Sequence, residues 1–344
     1  MQSKWWSLLF GGVMLAATLS VVIAPLPGLG WGLPKNVSSY GGEVDLLFHI
    51  ILFVTGFFFI LTEAILVYFM FAFAGRADAP VHSKPVEPGP QPGDFFKKVS
   101  KPLTPWIPDE HRLEMVWTII PGIILLILAV AQIQTWLRIK DRNWMPKPGE
   151  LPLQMEVSAR QFEWRVRYPS SEHMELWKIE SEKPDKDPRI LDDFKPRRYF
   201  DKNSNTWIDN AGSQEDDLHV VNEVHTWKGV RVLVYLTTRD VIHSFYLPNL
   251  RLKQDALPGK VIPVWFEATE PNTKFNEDTG QWEDGYDFKK NTWGNRTQIW
   301  ELVCAELCGW GHYKMQGRLY AHETKEDFLE WLKHAEEEQR RSKP

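Results

Sequence analysis

Residues 304–315 read CAELCGWGHYKM, placing two thiols, an imidazole and a thioether in one short segment. Cys304 and Cys308 are the only cysteines of the chain. Soft sulfur beside imidazole is a donor set for copper, zinc or iron–sulfur chemistry. Simpler uses of the same residues compete. A Cys304–Cys308 disulfide suits an oxidising compartment. A zinc site would pair two close cysteines with a second ligand pair, which His243 and His312 could supply. A mononuclear blue-copper site takes one Cys, one Met and two His, leaving a thiol surplus. No C-x-x-C-H is present, so no c-type haem is attached covalently to this chain.

Ligands of this kind need a frame, and the region from about Arg138 to Pro344 offers one. Leu153–Ser158, Phe162–Tyr168, Val230–Leu236, Val261–Ala268 and Thr297–Cys304 are rich in Val, Ile, Trp, Tyr and Phe, with turn residues between them. Short strands so spaced predict an antiparallel β-sandwich or barrel, with His243 at the end of the strand Val230–Leu236. The polar, acidic stretch from Ser170 to Asp217 reads as a surface insertion. From Glu323 to about Arg341, the spacing of Phe328, Leu329 and Leu332 predicts a short amphipathic helix packed on the domain.

Ahead of this region lie three apolar stretches, about Trp5 to Leu26, Val44 to Ala74 and Met115 to Leu137. Each is long enough to cross a bilayer, though the first also fits a signal sequence. The expected organisation is residues 1–28 as an N-terminal transmembrane helix or signal sequence, 29–138 as a transmembrane helical hairpin, and 139–344 as the outer domain. Gly75 to Glu114 holds eight prolines and reads as an extended loop. It carries Arg76, Lys84, Lys97, Lys98, Lys101 and Arg112, against Lys35 alone between Pro25 and Gly42. The positive-inside rule puts this loop in the cytoplasm and the strand-rich domain on the outer side. A net charge of −5 excludes a generally basic nucleic-acid binder.

The long pattern C-x-E-x-C-G-x-x-H-x-x-M at 304–315 closely resembles the ligand loop of the binuclear CuA centre in cytochrome c oxidase subunit II. DVIHSFYLPNLRLKQDALPGK at 240–260 resembles that family's other ligand segment. The resemblance implies a cupredoxin-like β-sandwich in which Cys304 and Cys308 bridge two copper ions. His243 and His312 would bind one copper each, Met315 would be a weak ligand, and Glu306 would add its backbone carbonyl. The Glu306 carboxylate would face a Mg²⁺ at the boundary with the haem-copper subunit I. EMVWTIIPGIILLILA at 114–129 looks like the start of the family's last transmembrane helix, which implies a proton-pathway role for Glu114. The function so implied is electron transfer from a cytochrome c-type donor to a partner that reduces O₂ and pumps protons. The catalytic centre would lie on that partner, and the setting would be a bacterial inner membrane with the CuA domain periplasmic. The alternative is the CuA-bearing subunit of a nitric oxide reductase, which only the catalytic partner would distinguish. A copper-free quinol-oxidase subunit would lack the ligands present here.

One segment departs from the family. Where the pattern usually has Q-W-x-W, with the first Trp receiving electrons, this chain has Gln161-Phe162-Glu163-Trp164. Phe162 and Trp164 are therefore the candidate electron-uptake residues, and a dedicated donor is expected: a membrane-attached cytochrome c or the haem-bearing subunit of a partner complex. His49 and Glu63 fall in an apolar stretch, where an unpaired carboxyl is costly and would face another subunit. His82, His111, His173, His219, His225, His322 and His334 read as ordinary surface groups.

Overall fold

Uninterrupted apolar sequence becomes helix in the first part of the chain. In a computed structural model that describes residues 2–23, 32–72, 111–141, 144–146, 153–171, 198–201, 206–209 and 217–342, three long helices come first. These are α1 (Gln2–Ile23), α2 (Gly41–Ala72) and α3 (His111–Lys140). Gly41–Met70 and Glu114–Lys140 are long and apolar enough to span a membrane, whereas the apolar run of α1 is the shorter Leu8–Ser20. Most of the proline-rich loop, residues 73–110, lies outside the described residues, and its last residues open α3.

Two compact units result, one of Met1–Gly32 with His49–Gln134, the other of Leu33–Phe48 with Thr135–Pro344. The second is a two-sheet sandwich. Its strands are β1 (Leu153–Arg160), β2 (Glu163–Tyr168), β3 (Arg198–Asp201), β4 (Thr206–Asp209), β5 (Leu218–Val221), β6 (Glu223–Trp227) and β7 (Arg231–Thr238). They continue as β8 (His243–Leu247), β9 (Leu252–Ala256), β10 (Ile262–Glu267), β11 (Lys274–Asn276), β12 (Gln281–Glu283), β13 (Trp300–Cys304) and β14 (Gln316–His322), before helix α4 (Lys325–Ser342). One sheet runs β10-β7-β1-β2-β5 and the other β6-β14-β13-β8-β9. Pairing is antiparallel except for one parallel pair in each sheet, β1 with β7 and β14 with β6. The hairpin β3–β4 falls inside the stretch read as an insertion.

Alternation along the strands fills the space between the sheets with Met155, Val157, Trp164, Val166, Tyr168, Val234, Phe245, Leu302 and Leu319, all buried. The chain changes sheets twice in ways that matter to the site. Between β5 and β6 the change is made at Asn222, whose φ of 62° is a left-handed conformation that Asn tolerates. Its side-chain oxygen accepts from Trp164 N at 2.8 Å and its backbone N donates to Trp164 O at 2.8 Å. Between β7 and β8 the change is made at Arg239–Ile242. His243 is therefore the first residue of β8 in the second sheet, and not the end of the preceding strand as its sequence position suggests.

The first turn of α2 and the last turn of α3 are held to this unit by polar contacts. Arg251 donates to Asp45 through Nε at 2.6 Å and Nη2 at 3.0 Å, and Lys140 Nζ donates to Gln254 Oε1 at 2.7 Å. Glu43 pairs with Arg138 and accepts from the Thr135 hydroxyl. Helix α4 buries Phe328 and Leu332, as its spacing predicts, together with Trp331, while Leu329 is only half-buried. Its Glu336 carboxylate accepts from Ser171 N at 2.6 Å and Ser171 Oγ at 2.7 Å.

Candidate metal centre

Strand β13 delivers Cys304 at its last residue, beside Phe245 of β8. The chain then turns back to begin β14 at Gln316, so Glu306, Cys308, His312 and Met315 all sit on one connecting loop. That loop is tightly closed: His312 N donates to Gly309 O at 3.1 Å and Met315 N to His312 O at 3.1 Å. Gly309 has a φ of 127°, which an L side chain rarely adopts. A Cβ at Gly311 would lie only 2.5–2.7 Å from the Phe162 ring, so the loop's glycines are what let this ring lie against its backbone.

The donor atoms fall into two halves. Around Cys304 Sγ stand His243 Nδ1 at 3.8 Å and the Glu306 carbonyl at 3.2 Å. Around Cys308 Sγ stand His312 Nδ1 at 3.6 Å and Met315 Sδ at 3.9 Å. The two sulfurs are 3.9 Å apart and both thiols are free, so no disulfide joins them. A sulfur at ~2.3 Å and an imidazole nitrogen at ~2.0 Å on one tetrahedral ion would be about 3.5 Å apart, close to the spacing within each half. Each half thus offers a thiol, an imidazole and one weaker donor, and the thiols can be shared. This donor chemistry fits two soft ions bridged by sulfur better than one zinc or blue-copper ion.

Electrostatics follow the same division. Burial pushes the Cys304 thiol up, but hydrogen bonds with His243 and nearby backbone groups outweigh it and hold the thiol down at about 6. Burial, reinforced by the Cys304 charge, pushes Cys308 up to about 12. His243 is also raised: burial opposes its charged form, yet its bonds with Cys304 and Asp240 prevail. Asp240 Oδ1 receives His243 Nε2 at 2.8 Å, which leaves Nδ1 as the lone-pair donor on the sulfur side. Gln161 adds a second support, donating from its backbone N to Asp240 Oδ2 at 2.7 Å and from Nε2 to Cys308 O at 2.6 Å.

The fold thus brings together His243, Cys304, Glu306, Cys308, His312 and Met315. The Glu306 side chain is exposed and, among the described residues, joins no cluster of metal-ligating side chains. Trp164 is fully buried, its ring centroid 6.2 Å from that of His243, so it cannot itself be a surface contact. Phe162 is half-buried and packs edge-on against Trp310, centroids 5.2 Å apart. Glu114 is exposed in the first turn of α3.

Sequence reasoning passed over Asp240, Gln161 and Trp310. An acid three residues before a ligand histidine was the available signal for the first, and an aromatic between two ligands for the last. It also misplaced His225 and His322. Both are buried in strands, with His225 stacked between Tyr320 and Trp331.

Residues 200–279 match the family described as cytochrome c oxidase subunit II, periplasmic domain, and residues 95–135 match its transmembrane domain. The first match contains His243 and stops short of Cys304. The cytochrome c oxidase subunit 2 of Thermostichus vulcanus is 27% identical over 311 residues, 87% of this chain and 77% of that protein. That of Synechocystis is 25% identical over 93% of this chain and 80% of the relative. The solved periplasmic domain of subunit II of the Bradyrhizobium japonicum cytochrome oxidase aligns with 56% of this chain and 98% of its own, at 21% identity and a TM-score of 0.32.

Proposed function

This chain belongs to the cytochrome c oxidase subunit II family, and on that premise we propose that it is the electron-accepting subunit of a terminal oxidase, with a binuclear CuA centre on Cys304, Cys308, His243 and His312. The family is a copper-binding, electron-transporting subunit of a haem-copper oxidase, a membrane protein with a periplasmic domain. What supports the finer reading is one observation above all: two free thiols 3.9 Å apart, each flanked by its own imidazole Nδ1 and its own weaker donor.

Cys304, Cys308, His243 and His312 would hold the copper, which when bound would supply a site that takes up one electron and passes it on. The chain's own residues prepare for that. Asp240 fixes the His243 tautomer, Gln161 ties the loop to the β1–β2 turn, and the strand ends of β8 and β13 hold His243 and Cys304, both of one half of the donor set. The Glu306 carboxylate, exposed beside the centre, is the proposed contribution to a Mg²⁺ completed by the haem-copper subunit. Glu114, at the start of α3, is proposed to open a proton route into that subunit. The donor is a c-type cytochrome or a haem-bearing subunit, and the membrane the bacterial inner membrane, with residues 29–138 as the anchoring hairpin. The relatives carry oxidase names, and nothing at the site speaks for a nitric oxide reductase.

The test is electron paramagnetic resonance on the purified native complex with an oxygen-consumption assay. A signal of one electron shared over two coppers is expected, lost in Cys304→Ser and in Cys308→Ser. A single mononuclear Cu(II) signal, or a complex that reduces nitric oxide and not O₂, would overturn the reading.

A further inference from the structure

Between helix α4 and strand β12 lies a cleft of about 710 Å³, lined by no residue of the 304–315 loop. Its floor is the strand pair β6–β14. Leu319 and Ala321 are buried in the sandwich, so strand alternation turns Tyr320 outward into the cleft. The Tyr320 ring stacks on His225, centroids 4.3 Å apart, and His225 stacks in turn on buried Trp331 of α4. Half-buried Trp282 of β12 adds a third ring to the lining. A second hollow of about 290 Å³ shares Glu223 and Tyr320 with this one. Volumes of this order suit a small organic molecule.

Carboxylates from three elements surround these rings: Glu223 of β6, Glu283 and Asp284 at and just past the end of β12, and Glu338 of α4. Arg318 donates to Asp284 at 3.0 Å. The other three have no lysine or arginine partner among the described residues. Glu223 faces the His225 imidazole at 3.4 Å, Glu338 lies 3.9 Å from that of His334, and Glu283 accepts from the neutral Thr279 and Asn276. Burial holds His225 well below the ordinary histidine value, so it brings no charge to Glu223. Burial also raises Glu223, and it raises Asp284 in spite of Arg318, as befits carboxylates short of counter-charge. The rings are equally uncovered. Elsewhere the chain lays its own lysines over aromatic faces, Lys274 over Tyr286 at 4.5 Å and Lys325 over Trp227 at 6.0 Å. Among the described residues no such cation stands over Trp282, Tyr320 or Trp331.

A hard divalent ion is the wrong occupant. It needs oxygen donors that converge on one point, and among the described residues only His243, Cys304 and Cys308 converge in that way. Aromatic walls favour weakly hydrated organic cations, and carboxylates spread over three elements favour several charges on one flexible chain. We infer that this cleft binds a linear polyamine, an alkyl chain bearing two or more ammonium groups. Its methylenes lie on Trp282 and Tyr320, and its charges meet Glu223, Glu283 and Glu338. The site is separate from the copper centre and goes beyond the proposed electron-accepting role, on which it does not depend.

The test is isothermal titration of spermidine into the purified full-length chain in detergent at physiological ionic strength. Saturable binding is expected, and Mg²⁺ at equal charge concentration should not displace it. Glu223→Gln should weaken spermidine about tenfold, and Trp282→Ala about threefold or more. Glu338→Gln, at an exposed position of α4, gives a weakening of its own should Trp282→Ala disturb folding. Spermidine should also raise the unfolding temperature of the unaltered chain, and raise it less in Glu223→Gln. Absence of saturable binding, displacement by Mg²⁺ at equal charge, or an affinity unchanged in all three variants would overturn the inference. So would an arginine-rich peptide that displaces spermidine at a lower concentration, because the cleft would then be a docking site for a basic protein segment.

Discussion

Asp240 and His243 are joined by a 2.8 Å bond from imidazole Nε2 to carboxylate Oδ1, across the turn where the chain passes from one sheet to the other. The same carboxylate accepts from Val241 N at 2.7 Å and, through its other oxygen, from Gln161 N at 2.7 Å. These donors, together outweighing burial, keep Asp240 below the usual carboxylate range. An amide cannot satisfy all three donors, because one of its two heads is itself a donor. Asp240→Asn should therefore loosen His243 and lower copper affinity by about 10- to 100-fold, measured by competition with a chelator. An unaltered affinity would mean that β8 alone orients the imidazole.

The contact between Phe162 and the ligand loop is tight enough to test by steric addition. A methyl at Gly311 would press into the Phe162 ring, and overpacking of this kind costs about 1–3 kcal/mol. Gly311→Ala should lower the unfolding temperature of the full chain in detergent and reduce copper occupancy. Combining it with Phe162→Ala, which vacates the space, should recover part of both. Additive losses in the double variant would show that Gly311 matters for another reason.

Arg167 on β2 lies buried between two carboxylates, with Nη1 2.5 Å from Asp217 and Nε 2.9 Å from Glu156. Both acids are also buried, so removing the guanidinium strands negative charge away from water. Arg167→Met should destabilise the chain by about 3–5 kcal/mol in denaturant titration, well beyond a surface ion pair. Because Asp217 also accepts at the base of α4, where Gln339 Nε2 donates to its backbone O, proteolysis near α4 should quicken in the same variant. A loss under about 1 kcal/mol would mean that water reaches the pair.

The apolar runs and the ligand motif were legible because each is a local pattern. α2 and α3 follow directly from length and composition, and Phe328 and Leu332 disclosed the buried face of α4. Strands β8, β9 and β14 were not legible, since residues such as Arg318 or Lys253 break the apolar alternation and only pairing with distant strands makes them β. The parallel pairs β1–β7 and β6–β14 join segments far apart in the chain, which no local period encodes. His225 and His322 misled for a related reason: what buries them is Trp331, contributed by a helix about a hundred residues beyond His225 in the chain.

That histidine pair makes a definite pH prediction. His225 Nδ1 and His322 Nε2 are 3.1 Å apart, and His225 Nε2 faces Glu223 at 3.4 Å. His322 Nδ1 has no partner among the described residues, which favours the lone pair there and the proton on Nε2. Both rings are then neutral, each donating in turn toward Glu223. Burial holds both well below the ordinary histidine value of 6.5, with His225 adding to the effect on His322. As pH falls below about 6.5, the unfolded chain takes up protons that the fold refuses, so stability falls with pH. The slope approaches about 1.4 kcal/mol per pH unit for each histidine. Glu223, raised by burial, acts with the opposite sign and offsets part of this loss. Denaturant titrations of the full chain between about pH 7.5 and 5 should show this decline, and His322→Phe should roughly halve the two-histidine part of its slope. Stability that stays level across that window, or a slope untouched by the substitution, would mean that the pair takes up protons in the folded state as readily as in the unfolded chain.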